Sequence, residues 1–83
     1  MEPILEKLKI ILLKYTYEKQ LIDAINEKTL ILRDLKINSA RIIDIILDVE
    51  EEFEIEVDDI SMEKIISIGD LTKVIQNKIS KAV

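Results

Sequence analysis

Glycine and proline, the residues on which tight turns most depend, occur only once each in this sequence, as Gly69 and Pro3. A β-sandwich or β-barrel needs many such turns, so neither architecture suits the chain. Hydrophobic residues make up 48% of the sequence, too large a share for an intrinsically disordered protein. The sequence therefore predicts an all-α fold in one domain covering residues 1–83, since a chain of 83 residues supports a single core.

The chain has no cysteine and no histidine, and this absence excludes several kinds of functional site. Disulfides, Cys/His zinc sites, a thiol nucleophile and a catalytic triad containing histidine all require one of the two. We therefore do not expect hydrolase chemistry without a cofactor. The first residues lack the layout of a signal peptide, and the apolar runs are far shorter than the ~20 residues of a membrane span. A cytoplasmic protein without membrane insertion is expected.

Acidic residues are concentrated in one part of the chain. The segment from Asp44 to Glu63 holds ten acids and no Lys or Arg, whereas the rest holds seven acids and twelve bases. A net charge of −5 argues against binding to nucleic acid. Because the acids form one block, the pattern indicates an oriented acidic face.

Apolar spacing predicts two helices and a long loop in the first two thirds of the chain. One helix runs from Pro3 to Lys19, and residues 21–38 form a packed loop with one short turn near Thr29. A second helix, Ser39–Glu54, is amphipathic, with Ile43 and Leu47 at the edge of its charged side. Its apolar arc contains Ile42, Ile45, Ile46, Val49 and Phe53, and its charged side contains Arg41, Asp44, Asp48 and Glu51.

The remaining residues predict a short helix and a long one. An extended link at 55–57 leads to a short helix over Ser61–Ile66, and Ser67 with Asp70 matches the capping box that opens a last helix. The order predicts a four-helix bundle of three longer helices and one short helix.

Three short stretches carry a family resemblance at fixed spacing. Residues 34–40 read Asp-Leu-Lys-Ile-Asn-Ser-Ala, residues 50–57 read Glu-Glu-Glu-Phe-Glu-Ile-Glu-Val, and residues 68–71 read Ile-Gly-Asp-Leu. Together they resemble the acyl carrier protein family, where a serine in an Asp-Ser-Leu motif opens the second helix and a Glu-Glu-Glu-Phe run closes it. The resemblance covers about residues 29–79.

The resemblance implies that Ser39, beside Asn38, carries 4′-phosphopantetheine through a phosphodiester. A phosphopantetheinyl transferase would supply the group from coenzyme A, and the terminal thiol would hold acyl groups as thioesters. A helix N-terminus suits a phosphate, because its N–H groups and dipole favour negative charge. The simpler alternative is that Ser39 only helps to cap the helix.

The sequence departs from the family pattern around the serine. Asn38 stands for the usual Asp, Ala40 for the usual Leu, Lys36 for the usual Gly, and Arg41 for a frequent acid. These differences favour a specialised carrier over the housekeeping fatty-acid carrier.

The resemblance also implies a docking face and a pocket. Synthases and transferases with basic patches would dock on the face formed by Arg41, Asp44, Leu47, Asp48 and Glu51, although this set also fits an ordinary solvated helix face. The acyl chain would lie among residues that are otherwise simply core, namely Ile42, Ile46, Val49 and Phe53. No metal site is expected, because Asp58 and Asp59 lack the spacing of an EF-hand.

The resemblance implies a carrier that catalyses nothing itself. Its expected function is to tether acyl intermediates for fatty acid, lipid or polyketide biosynthesis, as a monomer. Two alternatives stay open. One is a stand-alone aminoacyl or peptidyl carrier protein, and the other is an unmodified helical interaction module, which the departures at residues 38–40 would support.

Overall fold

The computed structural model describes the backbone of residues 2–82 and the side chains of residues 4–79. Within that range the four α-helices are α1 (Glu2–Leu12), α2 (Ile42–Phe53), α3 (Asp59–Glu63) and α4 (Ile68–Ala82). Two 3₁₀ segments, Lys19–Ala24 and Ser39–Arg41, lie between α1 and α2. The predicted all-α fold of three longer helices and one short helix is confirmed. Met1 and Val83, which the one-domain prediction includes, lie outside the described residues.

The core is one apolar cluster to which α1, α2, α4 and the long loop all contribute. Each of these helices places one apolar stripe inward, at the three- and four-residue spacing of an amphipathic helix. The loop contributes as many large side chains as any helix, so it is packed, as its sequence predicts. The most deeply buried residues are Leu8, Leu12, Ile22, Ile31, Leu35, Ile45, Ile46, Val49, Ile68, Leu71 and Ile75.

Helix α1 ends at Leu12, seven residues before the predicted end at Lys19. The next residues tighten into a turn, and buried Thr16 then leaves the helical path. Its hydroxyl donates to the Leu35 carbonyl at 2.8 Å and accepts the N–H of Glu18 at 3.1 Å. Because this tertiary contact redirects the chain, the apolar pattern that continues past Leu12 does not extend the helix.

The short helix α3 begins two residues earlier and ends three residues earlier than predicted, at Asp59–Glu63 instead of Ser61–Ile66. Its predicted last residue pairs with the long loop instead, since the Ile66 carbonyl accepts the N–H of Ile31 at 3.0 Å. An isolated antiparallel bridge joins Leu30 to Ser67 beside that hydrogen bond. The long loop is therefore fastened to the α3–α4 corner by backbone hydrogen bonds.

The predicted capping box at the start of α4 is confirmed. The N–H of Asp70 donates to Ser67 Oγ at 3.1 Å, and the N–H of Ser67 donates to Asp70 Oδ2 at 3.0 Å. The N–H of Ile66 donates to the same carboxylate oxygen at 3.0 Å. These N–H groups hold the pKa of Asp70 below its ordinary value, because they stabilise the charged form.

Gly69 lies against the long loop so closely that a side chain would not fit. Its N–H donates to the Glu27 carbonyl at 2.8 Å, and an added Cβ would lie 2.8 Å from that same oxygen. We expect Gly69→Ala to lower the free energy of unfolding by about 1–2 kcal/mol, although alanine is the better helix former. Urea denaturation measures the change. Exposed Asn77→Ala, in the same helix, should change it by less than about 0.5 kcal/mol.

Candidate functional site

Ser39 is the first residue of the 3₁₀ turn that leads into α2, and it is exposed. Asn38 precedes it in an extended conformation and caps the turn. The N–H of Ala40 donates to Asn38 Oδ1 at 2.8 Å, and the N–H of Arg41 donates to the Asn38 carbonyl at 2.9 Å. Asn38 thus satisfies two N–H groups at the helix start, and the Ser39 side chain is left accessible.

Lys36, which stands where the resemblance has glycine, has an unusual backbone conformation. Lys36 has a φ of 54°, a left-handed conformation that glycine adopts without strain. A residue with a Cβ costs roughly 1–2 kcal/mol there. The Lys36 ammonium contacts the Glu18 carboxylate at 3.0 Å, which offsets a small part of that cost.

The five predicted docking residues all lie on the surface side of the segment from Arg41 to Glu51, but two of their acids are already paired. Arg41 Nη1 lies 3.1 Å from Asp44 Oδ2. Asp48 Oδ2 lies 2.9 Å from Lys14 Nζ and accepts the hydroxyl of Tyr15. Glu51 is exposed, and Leu47 is 56% exposed. The acidic character of this face therefore increases toward the C-terminal end of α2.

A hydrogen bond between Tyr15 and Asp48 joins the turn after α1 to α2. The hydrogen bond to Asp48, with burial, raises the pKa of Tyr15 to about 12, because both effects disfavour the phenolate. The Tyr15 hydroxyl and the Lys14 ammonium hold the pKa of Asp48 below its ordinary value, because both favour the carboxylate. The charged form of Asp48 therefore stabilises the fold.

The lowered pKa of Asp48 predicts a pH dependence of stability. Its stabilisation is present in full above the unfolded-state pKa of about 4 and is lost as the pH falls through the lower folded-state value. We expect Asp48→Asn to cost about 1 kcal/mol at pH 7, since 29% of the side chain remains in solvent. The difference from the wild type should shrink below pH ~4. Urea denaturation across pH measures it, and a pH-independent difference would contradict this origin.

The four residues expected to serve as core or acyl pocket differ in burial. Ile46 and Val49 are fully buried, whereas Ile42 and Phe53 are half-buried. Ile42 lines an apolar cavity of about 170 Å³. The other walls of that cavity come from the long loop and from the corner before α4, namely Leu30, Ile31, Leu32, Arg33, Ile65 and Ile66.

Known proteins identify the family of this chain, although no family model matches it. The acyl carrier protein of Thermotoga maritima is 34% identical over 55 residues, which cover 66% of this chain and 68% of that protein. The acyl carrier protein of Campylobacter jejuni strain RM1221 is 38% identical over 55 residues, covering 66% and 71%. That of Campylobacter curvus is 33% identical over 54 residues, covering 65% and 70%. The chain belongs to the acyl carrier protein family.

Membership in the acyl carrier protein family confirms the resemblance seen in the three sequence stretches and supports a carrier role.

Within the described part of the chain, no helix is both long and apolar enough to cross a bilayer. Asp58 and Asp59 belong to no group of three or more potential metal ligands among the described residues. Asp58 instead contacts Lys78 Nζ at 3.3 Å, and its pKa is lowered by the Ser61 hydroxyl and then by Lys78.

Two features of the candidate site could not be seen in the sequence. Lys14 and Tyr15, in the turn after α1, contact Asp48, and no local pattern signals a contact across 33 or 34 residues. The cavity walls at residues 30–33 and 65–66 were also missed. The apolar run Leu30-Ile31-Leu32, in a loop with otherwise irregular apolar spacing, is the sequence feature that could have indicated these walls.

Proposed function

We propose that this protein tethers acyl intermediates as thioesters on a 4′-phosphopantetheine arm attached to Ser39. The observation that carries the proposal is an exposed serine at the start of an acidic-faced helix in a member of the acyl carrier protein family. The arm supplies the thiol, so the lack of cysteine is no obstacle, and partner enzymes perform the reactions. The protein would act as a cytoplasmic monomer in fatty acid, lipid or polyketide biosynthesis.

The start of α2 suits a phosphodiester on Ser39. The dipole of α2 favours negative charge at its N-terminal end. The N–H groups of Ala40 and Arg41 already bond to Asn38, so the dipole and nearby cations are the main sources of stabilisation. Asn38 would position the attachment site by fixing the turn, and the transferase would approach over the exposed residues 38–41.

The apolar cavity beside Ile42 supports acyl cargo. Ile42 opens α2 three residues after Ser39, so the cavity lies near the predicted attachment point. A volume of about 170 Å³ is small beside the ~300–1,000 Å³ of common ligand sites, so it suits the first carbons of a chain. Buried Ile46 and Val49 form the packed core of α2 and would have to move for deeper insertion.

The outer face of α2 supports docking of synthases and transferases that carry basic patches. Glu51 is exposed, and the acids from Asp44 onward have no base among them until after Glu63. Exposed Ile43 and Leu47 add apolar contact beside the charges. Complementary charge would mainly speed and orient docking, and salt would weaken it.

The residues around Ser39 favour a specialised carrier. Asn38 caps the turn without contributing a carboxylate, and Ala40 offers little apolar contact. Arg41 also pairs with Asp44, which removes one free acid from the docking face. A partner suited to this protein must therefore recognise a surface that is less acidic near the serine than along the rest of α2.

The proposal is tested by incubating the purified protein with coenzyme A and a phosphopantetheinyl transferase and measuring its intact mass. We expect a pantetheine-sized gain that peptide mapping assigns to the segment containing Ser39. Subsequent loading with acyl and with aminoacyl groups separates an acyl carrier from an aminoacyl or peptidyl carrier. No gain with several transferases would favour the unmodified interaction module, for which exposed Ile43 and Leu47 provide a contact surface.

A further inference from the structure

A basic cleft lies next to Ser39. Its volume is about 800 Å³, and it runs between residues 14–19, which follow α1, and residues 36–41. No acidic residue is among the described residues that line it. Four cationic side chains line it together with polar and aromatic groups, and these cations are Lys14, Lys19, Lys36 and Arg41. The cleft is thus a positively charged hollow in a chain whose net charge is −5.

The cations of the basic cleft already bind carboxylates at the cleft's edges. Lys36 contacts Glu18 at 3.0 Å, and two α2 aspartates contact Lys14 and Arg41 at 2.9 and 3.1 Å. These three cationic side chains are still more than half exposed: the exposed fraction is 65% for Lys36, 58% for Lys14 and 61% for Arg41. Ion pairs this exposed contribute little to stability, so a partner's carboxylates can replace or join the chain's own. Lys19 Nζ donates only to the Leu13 carbonyl among the contacts described.

The basic cleft lies where an enzyme acting on Ser39 would approach. Asn38 and Arg41, on either side of Ser39 in the sequence, both line it, so a protein bound over Ser39 would lie beside the cleft. Glu51 is the first acid of α2 without a described ion pair or hydrogen bond, and it lies ten residues beyond Arg41, about 15 Å along the helix. Exposed Glu54 and Glu56 follow it. The surface is therefore bipolar, with cations at the serine and acids at the far end.

We propose that the basic cleft receives an acidic segment, rich in Asp or Glu, of the enzyme that acts on this carrier. The same enzyme would meet the acidic end of α2 with basic residues, so its charges would run in the opposite order along the interface. The bipolar arrangement fixes the direction in which the carrier docks, because the reversed orientation places like charges together. The identity of the occupant as a carrier-dependent enzyme rests on the proposed function, whereas the cleft's preference for carboxylates does not.

The preference is tested on the unmodified, ¹⁵N-labelled protein by titration with a capped hexaglutamate peptide at low salt. We expect amide shifts confined to residues 14–19 and 36–41, which disappear at high salt. The triple variant Lys19→Gln, Lys36→Gln and Arg41→Gln should bind roughly tenfold more weakly. Circular dichroism establishes that the variant remains folded.

A matched variant removes three charges from outside the basic cleft. Lys28, Lys64 and Lys73 are exposed and do not line it, so their change to Gln should alter the apparent affinity by less than about twofold. Equal weakening in both triple variants, or shifts spread over the whole surface, would overturn the proposal. Pyrophosphate binding at the cleft without hexaglutamate binding would also overturn it, in favour of a phosphate site. Because the titration needs no modification of Ser39, its failure and a failed mass gain are separate results.

Discussion

Ser39→Ala is expected to abolish the pantetheine-sized mass gain while leaving the fold unchanged. The substitution removes the hydroxyl oxygen that would form the phosphodiester. The helix start should survive, because the side-chain cap comes from Asn38, which accepts the N–H of Ala40. Since Ser39 is exposed, we expect the free energy of unfolding to stay within about 0.5 kcal/mol of the wild type.

Intact mass after reaction with coenzyme A and a transferase measures the loss of the gain. Urea denaturation measures the free energy of unfolding. Ser61→Ala is the control for the mass gain alone, because it removes a serine hydroxyl of α3 and should keep the gain. The Ser61 hydroxyl also hydrogen-bonds Asp58, so the stability of this variant is not the reference. Ser67 would be a poor control, since its hydroxyl caps α4 and its loss costs about 1 kcal/mol. A gain that persists in Ser39→Ala would place the attachment elsewhere and refute the proposed site.

Features set by local sequence could be predicted well. The course of α2 follows from apolar spacing without Gly or Pro, and the start of α4 follows from the reciprocal hydrogen bonds of Ser67 and Asp70. Features set by tertiary contacts could not be predicted from the sequence. The end of α1 depends on the bond from Thr16 to the Leu35 carbonyl, and the end of α3 depends on backbone pairing with the long loop.

The same distinction applies to the candidate site. The exposed position of Ser39 at a helix start could be expected from Asn38 and Ser39 themselves, because both are common helix-start residues. The uneven charge of the α2 face could not be expected, because Asp48 is paired with Lys14 in the turn after α1 and not with a residue of its own helix. A helical wheel shows which residues share a face but not which of them another helix covers.

Ile46→Ala is expected to destabilise the protein by about 2–4 kcal/mol, because it leaves a cavity among the core side chains. Ile46 is 1% exposed and packs in the cluster shared by α1, α2 and α4. A domain of this size has only roughly 5–10 kcal/mol of total stability, so the loss is a large part of it. Urea denaturation measures the change, and a loss below about 1 kcal/mol would mean that the core collapses around the missing atoms.

Leu47→Ala, one position along the same helix, is expected to leave stability almost unchanged but to slow loading. Because its side chain is 56% exposed, truncation should change the free energy of unfolding by less than about 0.5 kcal/mol. Leu47 belongs to the proposed docking face, so the initial rate of loading by the transferase should nevertheless fall several-fold. The comparison separates the two faces of α2, since slower loading of a protein of unchanged stability reports contact with the partner. Unchanged loading at low salt would remove Leu47 from the docking face and leave docking to the charged residues alone.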